Sequence, residues 1–320
     1  MKDDSLQMKY AYVFPGQGSQ SVGMLAELGA NYPVVKQTFA QASEVLGYDL
    51  WKLSQQGPKE TLDKTEKTQP ALLAASVAVW HLWQQHCDQK PAYVAGHSFG
   101  EYSALVAAGA LEFEDAVSLA QDRGRFMQAA VADGEGAMAA ILALQDDKVM
   151  EICTIVAQNQ VVSPVNFNAP GQTVIAGHTA AVKRAIEQAK AVGAKRAVLL
   201  PVSVPAHSIL MRPAARRMAE RLAEVPIKMP NIPVIHNVDV SVKTEPVDIR
   251  TALTEQLYHP VRWVETIKKM VAEGVTVVLE SGPGKVLTGL NKRIARNITA
   301  KPIMDIQTLE PALQALETSP

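Results

Sequence analysis

The stretch Gly96-His97-Ser98-Phe99-Gly100 limits the fold of this chain more than any other. Before it runs the apolar segment Ala92-Tyr93-Val94-Ala95, and after it a good helix former, Glu101 to Ala108, that stops at Gly109. Strand, sharp turn and helix in direct succession are the frame of a nucleophile elbow on an α/β sheet. The flanking glycines let strand and helix cross closely. The helix N-terminus turns free N–H groups toward a point where negative charge could develop. G-x-S-x-G also arises by chance, so an ordinary serine turn stands beside a catalytic Ser98 as a reading of these five residues alone.

The rest of the chain alternates strands and helices, as a parallel α/β sheet does. Tyr10 to Phe14 reads as an apolar strand running into the loop Pro15-Gly16-Gln17-Gly18-Ser19-Gln20. This loop is no dinucleotide fingerprint, because Ser21 occupies the place of the third glycine, and no Gly-Lys-Ser/Thr follows to make a phosphate loop. A different rhythm spans 136–201. Ala137–Leu144, Val161–Asn168, Thr173–Gly177 and Arg196–Val202 read as strands, and Asp146–Gln158 and Thr179–Val192 as helices. The order β-α-β-β-α-β is ferredoxin-like. The expectation is an α/β chain with a large parallel-sheet domain, 1–132 and 205–320, and an inserted small domain, 133–204. Gly274 to Glu280 reads as a late buried strand leading into Ser281-Gly282-Pro283-Gly284-Lys285, and the tail after Ile306 is weakly patterned.

Composition narrows the function classes. With 320 residues, 48% hydrophobic and 20% charged, the chain can bury a sizeable core. A net charge of −1 gives no basic bias toward nucleic acid. The polar start, Met1 to Gln7, lacks the features of a signal peptide. The most apolar stretch, Leu72 to Trp83, is interrupted by His81 and is too short to span a bilayer. Cys87 and Cys153 have no metal or redox spacing, which makes the cytoplasm the simplest compartment and leaves no metal site to expect.

A serine hydroxyl needs a base to become a nucleophile. His97 lies inside the elbow and is expected to point away from Ser98; His81, His86 and His178 lie in or beside helices, and His236 and His259 lack a positioning argument. His207 is better placed, after a strand 197–204 and the turn Pro205-Ala206, at the sheet end where α/β folds assemble sites. A surface or merely hydrogen-bonded histidine remains the bland alternative. Arg123 is a second anomaly. On a helix from Asp115 to Val131 it falls within the stripe Ala116, Leu119, Ala120, Phe126, Met127, Ala130, Val131, whereas Arg125 falls on the solvated face. A buried guanidinium must be paired, either with a protein carboxylate or with a substrate carboxylate gripped through two N–H···O bonds.

Six ordered strings complete the sequence argument: Phe14–Gln20, Gly96–Leu105, Val165–Gln172, Val202–His207, Gln256–Trp263 and Gly282–Leu287. Together they resemble the bacterial malonyl-CoA:acyl carrier protein transacylases over about residues 10–305. The resemblance implies an α/β-hydrolase-like large domain with a ferredoxin-like insertion. It implies a Ser98–His207 dyad oriented by the backbone carbonyl of Gln256, an oxyanion hole from the N–H groups of Gln17 and Phe99, and Arg123 as the malonyl carboxylate receptor. Asn168, Gln69 and Met127 are expected to line the site. Phe99 departs from the leucine frequent in the family, which puts acyl specificity in question. The implied substrates are malonyl-CoA and an acidic acyl carrier protein, with the CoA thioester a substrate and no cofactor. Lys195, Arg196, Arg212, Arg216 and Arg217 are docking candidates, against the plainer reading of solvated helix and loop charges. A serine esterase or thioesterase, a trans-acting transferase for a polyketide synthase, and a silent binding module are the rivals. The residues before Tyr10 are expected to be a short disordered extension.

Overall fold

The structure is a computed structural model that describes residues 8–202 and 204–317. The extension expected before Tyr10 therefore falls mostly outside the described residues, as does Ser203. Nine strands occur among them: β1 Lys9–Phe14, β2 Tyr93–Gly96, β3 Gly136–Leu142, β4 Val162–Ala169, β5 Gln172–His178, β6 Arg196–Leu199, β7 Val234–Ile235, β8 Val275–Ser281 and β9 Thr299–Ile303. They form two sheets. One is parallel, in the order β7-β2-β1-β8-β9. The other is antiparallel, in the order β4-β5-β3-β6. The α/β class and the two sheet types agree with the sequence reading, and the second sheet has the strand order of a ferredoxin-like unit.

The central strands of the parallel sheet are covered on both faces, so their side chains need no alternation. Tyr10 to Phe14 are all buried in β1, as are five consecutive residues of β8, Val277 to Ser281. The helix Thr65–Gln84 lies deep in the fold, buried over almost its whole length. That explains its apolar sequence without a membrane; among the described residues no helix is long and apolar enough to cross one.

The antiparallel sheet meets the large half along its β4 edge, at the segment before the helix Trp263–Ala272. Asn166 of β4 bridges Val261, with Val261 N–H donating to Val165 O at 2.8 Å and Phe167 N–H donating to Val261 O at 3.0 Å. A cleft lies where these halves approach.

Three elements differ from the sequence expectation by three residues or more. The last strand of the antiparallel sheet ends at Leu199, not Val202 or Val204. Leu200 N–H still reaches Met138 O, but Pro201 has no N–H to continue the ladder, and Val202 N–H turns back to Leu200 O. The helix that carries Arg123 runs Phe113–Gln128 rather than 115–131, closed by Ala129 N–H on Arg125 O and a tighter turn from Ala130 N–H to Met127 O. The tail after Ile306, weakly patterned in sequence, is a helix to Glu317 that buries Leu309, Ala312 and Ala315.

Candidate active site

The elbow is built by close approach. A Cβ on Gly96 would fall 1.8 Å from the Gly100 carbonyl carbon, and one on Gly100 would fall 2.2 Å from Phe14 O. No side chain fits at either position. The crossing forces Ser98 into the left-handed region, at φ 52°, a strained setting for a residue with a side chain. His207 is also left-handed, at φ 63°. Its N–H donates to Leu257 O at 2.9 Å, which fixes it opposite the elbow.

Ser98 Oγ lies 2.6 Å from His207 Nε2, and His207 Nδ1 lies 2.7 Å from Gln256 O. A carbonyl cannot donate, so Nδ1 carries the proton and Nε2 presents its lone pair to the serine hydroxyl. Burial pulls His207 down to about 3, with the Arg123 charge adding to the effect and the Gln256 carbonyl opposing it. The imidazole is therefore neutral at pH 7, as a base must be.

The helix Gly100–Ala107 begins at this turn. Gly100, Glu101 and Tyr102 spend their N–H groups on His97, Ser98 and Phe99 carbonyls. The N–H groups of Gln17 and Phe99 donate to no described residue. A cavity of about 120 Å³ opens beside them, lined by Gln17, Ser98, Phe99, His207, Arg123 and Met127 from the large half. Met138, Asn166, Leu200 and Val202 line it from the antiparallel half.

Arg123 is 1% exposed and forms no ion pair with a described carboxylate. Its Nη2 donates to Gln256 Oε1 at 3.0 Å, its Nε has no described partner, and its guanidinium carbon stands 5.8 Å from the ring centres of both Phe99 and Tyr102. Burial lowers its pKa from the ordinary guanidinium value, an effect that Tyr102 and the Glu101 carboxylate oppose. By contrast Arg221, on the neighbouring helix Arg212–Ala223, is satisfied by Asp122, Ser118 and Glu224. A buried cation with free donors in a cavity is suited to an anionic ligand.

Phe99 is stacked on Tyr102 at 5.5 Å and lines the cavity, as does Met127. Gln69 sits behind, its Nε2 reaching Met127 Sδ at 3.6 Å. Asn168 does not line the cavity; its Oδ1 holds His97 Nε2 at 2.7 Å, and it is Asn166, two residues earlier on the same strand, that faces in. His97 does not point clear of the site either, since it too contributes to the cavity wall. Of the basic residues, Arg212 lies over the Tyr258 ring at 5.4 Å and Arg217 over Phe126 at 4.0 Å. Lys195 and Arg196 are exposed at the far end of β6, about 13 Å of extended chain before Leu200.

Sequence reasoning missed the support beneath the elbow. Asn237 Oδ1 accepts from Ser98 N–H at 2.7 Å while its Nδ2 donates to Gly96 O at 2.7 Å, so one carboxamide ties both arms of the turn. Glu101, fully buried, accepts from His236 Nδ1, Asn237 N–H and Gln256 Nε2 at 2.7, 3.0 and 2.8 Å. The signal for Glu101 was present: it is the one charged residue in the helix Gly100–Ala107, which is buried almost throughout. His236 and Asn237 carry no such signal, because only the parallel sheet brings β7 beside β2.

The comparisons with known proteins agree with the fold. Residues 11–318 match the acyl transferase domain family. A protein of Salmonella typhimurium named malonyl CoA-acyl carrier protein transacylase is 57% identical over 305 residues, 95% of this chain and 99% of that protein. A crystal structure of an acyl carrier protein S-malonyltransferase from Vibrio cholerae superposes with a TM-score of 0.93 at 57% identity, covering 95% of this chain and 99% of that one. A malonyl-transacylase solved in complex with a type II PKS acyl-carrier protein gives a TM-score of 0.94 at 53% identity, covering 97% of this chain and all of that one. The chain belongs to the acyl transferase domain family.

Proposed function

We propose that this chain moves a malonyl group from malonyl-CoA to the phosphopantetheine thiol of an acyl carrier protein, through an ester on Ser98. It is the activity named for the relatives, and the observation that carries it here is the juxtaposition of a Ser98–His207–Gln256 chain with a buried, carboxylate-free Arg123 across one small cavity.

His207 Nε2 takes the Ser98 hydroxyl proton as Oγ attacks the thioester carbon. The tetrahedral oxyanion is received by the Gln17 and Phe99 N–H groups; such a donor typically contributes about 10²–10³ in rate. As the C–S bond breaks, His207 returns the proton to the departing CoA sulfur. The carrier's thiol then enters, gives its proton to His207, attacks the ester carbon and leaves with the malonyl group, while Ser98 recovers its proton. Arg123 holds the malonyl carboxylate throughout and penalises acetyl, which would leave a buried guanidinium empty. A carbonyl behind His207, rather than a carboxylate, suits this site: an aspartate beside Arg123 would compete for its donors. The small half, taken as 133–204, forms the second wall of the cleft, with Asn166 facing the substrate. CoA enters as substrate and no cofactor takes part.

Among the basic residues the placement favours Arg212 for contact with the acidic carrier. It follows His207 by five residues, whereas Lys195 and Arg196 lie at the remote end of β6. The relative solved with a polyketide carrier keeps a second reading open, service to a polyketide synthase rather than to fatty-acid synthesis. Cys87 and Cys153 are unpaired, which suits a reducing cytoplasm.

Intact mass measurement after mixing with malonyl-CoA tests the reading. The expected result is a malonyl adduct on Ser98 that persists in buffer and clears when holo carrier protein is added. Loss of the adduct to water without transfer would mean a hydrolase. A panel of fatty-acid and polyketide carriers in the same assay separates the two readings.

A further inference from the structure

Arg123 and Glu101 are both buried, yet neither is in an ion pair with the other. One carboxamide stands between them. Gln256 Oε1 accepts from Arg123 Nη2, and Gln256 Nε2 donates to Glu101 Oε2 and to Ser98 O. The amide is thus oriented with its oxygen toward the cation and its nitrogen toward the anion. Glu101 is fully supplied with donors, from His236 Nδ1, Asn237 N–H and Gln256. His236 Nε2 has no described partner, which fits a proton on Nδ1 and a bare lone pair on Nε2.

We propose that Glu101 is a positioning residue for the acyl pocket: a buried counter-charge to Arg123, held one carboxamide away. A direct pair would neutralise the cation by occupying its donors, whereas an uncompensated guanidinium would be costly to bury. Separation by Gln256 keeps Arg123 in the core and leaves its remaining donors free for a ligand. The same negative charge weakens the field felt by an arriving carboxylate, so Glu101 also sets how tightly that group is held. The second half of this statement rests on Arg123 being the carboxylate receptor, as argued above; the first half does not.

The test is a double-mutant cycle with two readouts. Glu101→Gln keeps the shape: its oxygen still accepts from Asn237 and Gln256, and its amide donates to His236 once that ring shifts its proton to Nε2. Arg123→Met removes the cation at similar length. Each single variant is expected to lower the melting temperature by several degrees, and the double variant by clearly less than the sum. Additive losses overturn the counter-charge. If Glu101→Gln alone yields no folded protein, recovery of folded protein on adding Arg123→Met is the same coupling, and failure of the double variant to fold overturns it. The second readout is the affinity for free malonate, expected to rise severalfold in Glu101→Gln and to vanish in Arg123→Met. A purely structural glutamate would not tighten malonate. Coupled melting temperatures with malonate binding intact in Arg123→Met would support the counter-charge and overturn Arg123 as the receptor.

Discussion

In the parallel sheet, β2 and β8 each run through a glycine-containing turn straight into a helix. Behind β8, Glu280 folds over the start of the helix Val286–Ile294, its carboxylate accepting from Leu287 N–H at 3.0 Å, Thr288 N–H at 2.6 Å and Thr288 Oγ1 at 2.7 Å. The anion that the helix end attracts is supplied by the protein. Behind β2 the turn is tighter, no side chain caps the helix, and the Phe99 N–H is used by no described residue. The glutamate there, Glu101, faces the other way, into the network under the elbow. Both ends offer the same partial charge. One is closed by its own carboxylate; the other is left open beside Ser98, His207 and the buried Arg123.

If the open end is a carboxylate-selective site, Arg123→Ala should lower malonyl transfer by about 10²–10³-fold while acetyl transfer survives or rises, measured as kcat/KM for the two CoA esters. Equal loss for both would make Arg123 structural. Gly100→Ala attacks the tightness that keeps this end open. The added Cβ has no room against Phe14 O, and the expected loss is about 3 kcal/mol, seen as a lower melting temperature together with lost activity. The buried imidazole makes a pH prediction. The folded value of His207, about 3, lies below that of the unfolded chain, near 6.5. His207 thus stays neutral in the fold, and kcat/KM should show no acid limb from it between pH 7 and 5. In the same interval the unfolded chain takes up the proton first, so this group removes stability as pH falls from about 6.5 toward 3. A limb centred at 6.5 would mean a solvated histidine. At the closed end, Glu280→Gln should cost about 1–2 kcal/mol of stability with kcat nearly unchanged, the reverse of the open-end variants. Phe99→Leu, which keeps the backbone N–H and trims one pocket wall, should change malonyl transfer less than about 10-fold and ease entry of bulkier acyl groups, read from a panel of acyl-CoA esters.

How far these features could be read before folding depends on their range. The Ser98 elbow is local: two glycines, an apolar strand and a helix former lie within about twenty residues, and each enforces the turn by its own conformational preference. The β-α-β-β-α-β order of 136–199 was legible for the same reason. Arg123 was legible as an oddity, since helical periodicity places it among apolar neighbours, but periodicity says nothing of its partner. Asn168 was expected at the site, but β4 shifts register between Phe167 and Ala169, so strand alternation does not carry through Asn168, and it is Asn166, where β4 docks against Val261, that meets the cavity.

By itself the sequence determined the secondary elements, the strained serine turn and the presence of a charge that the core must accommodate, because these follow from backbone preferences and burial periods over a turn or a strand. Only the tertiary structure decided what those groups face. Ser98 and His207 are 109 residues apart, Arg123 and Gln256 are 133, and Glu101 and His236 are 135. Contacts at such separations are set by sheet order and domain docking. Hydrogen-bond partners are chosen there by position in space, and nothing in the local chain records them.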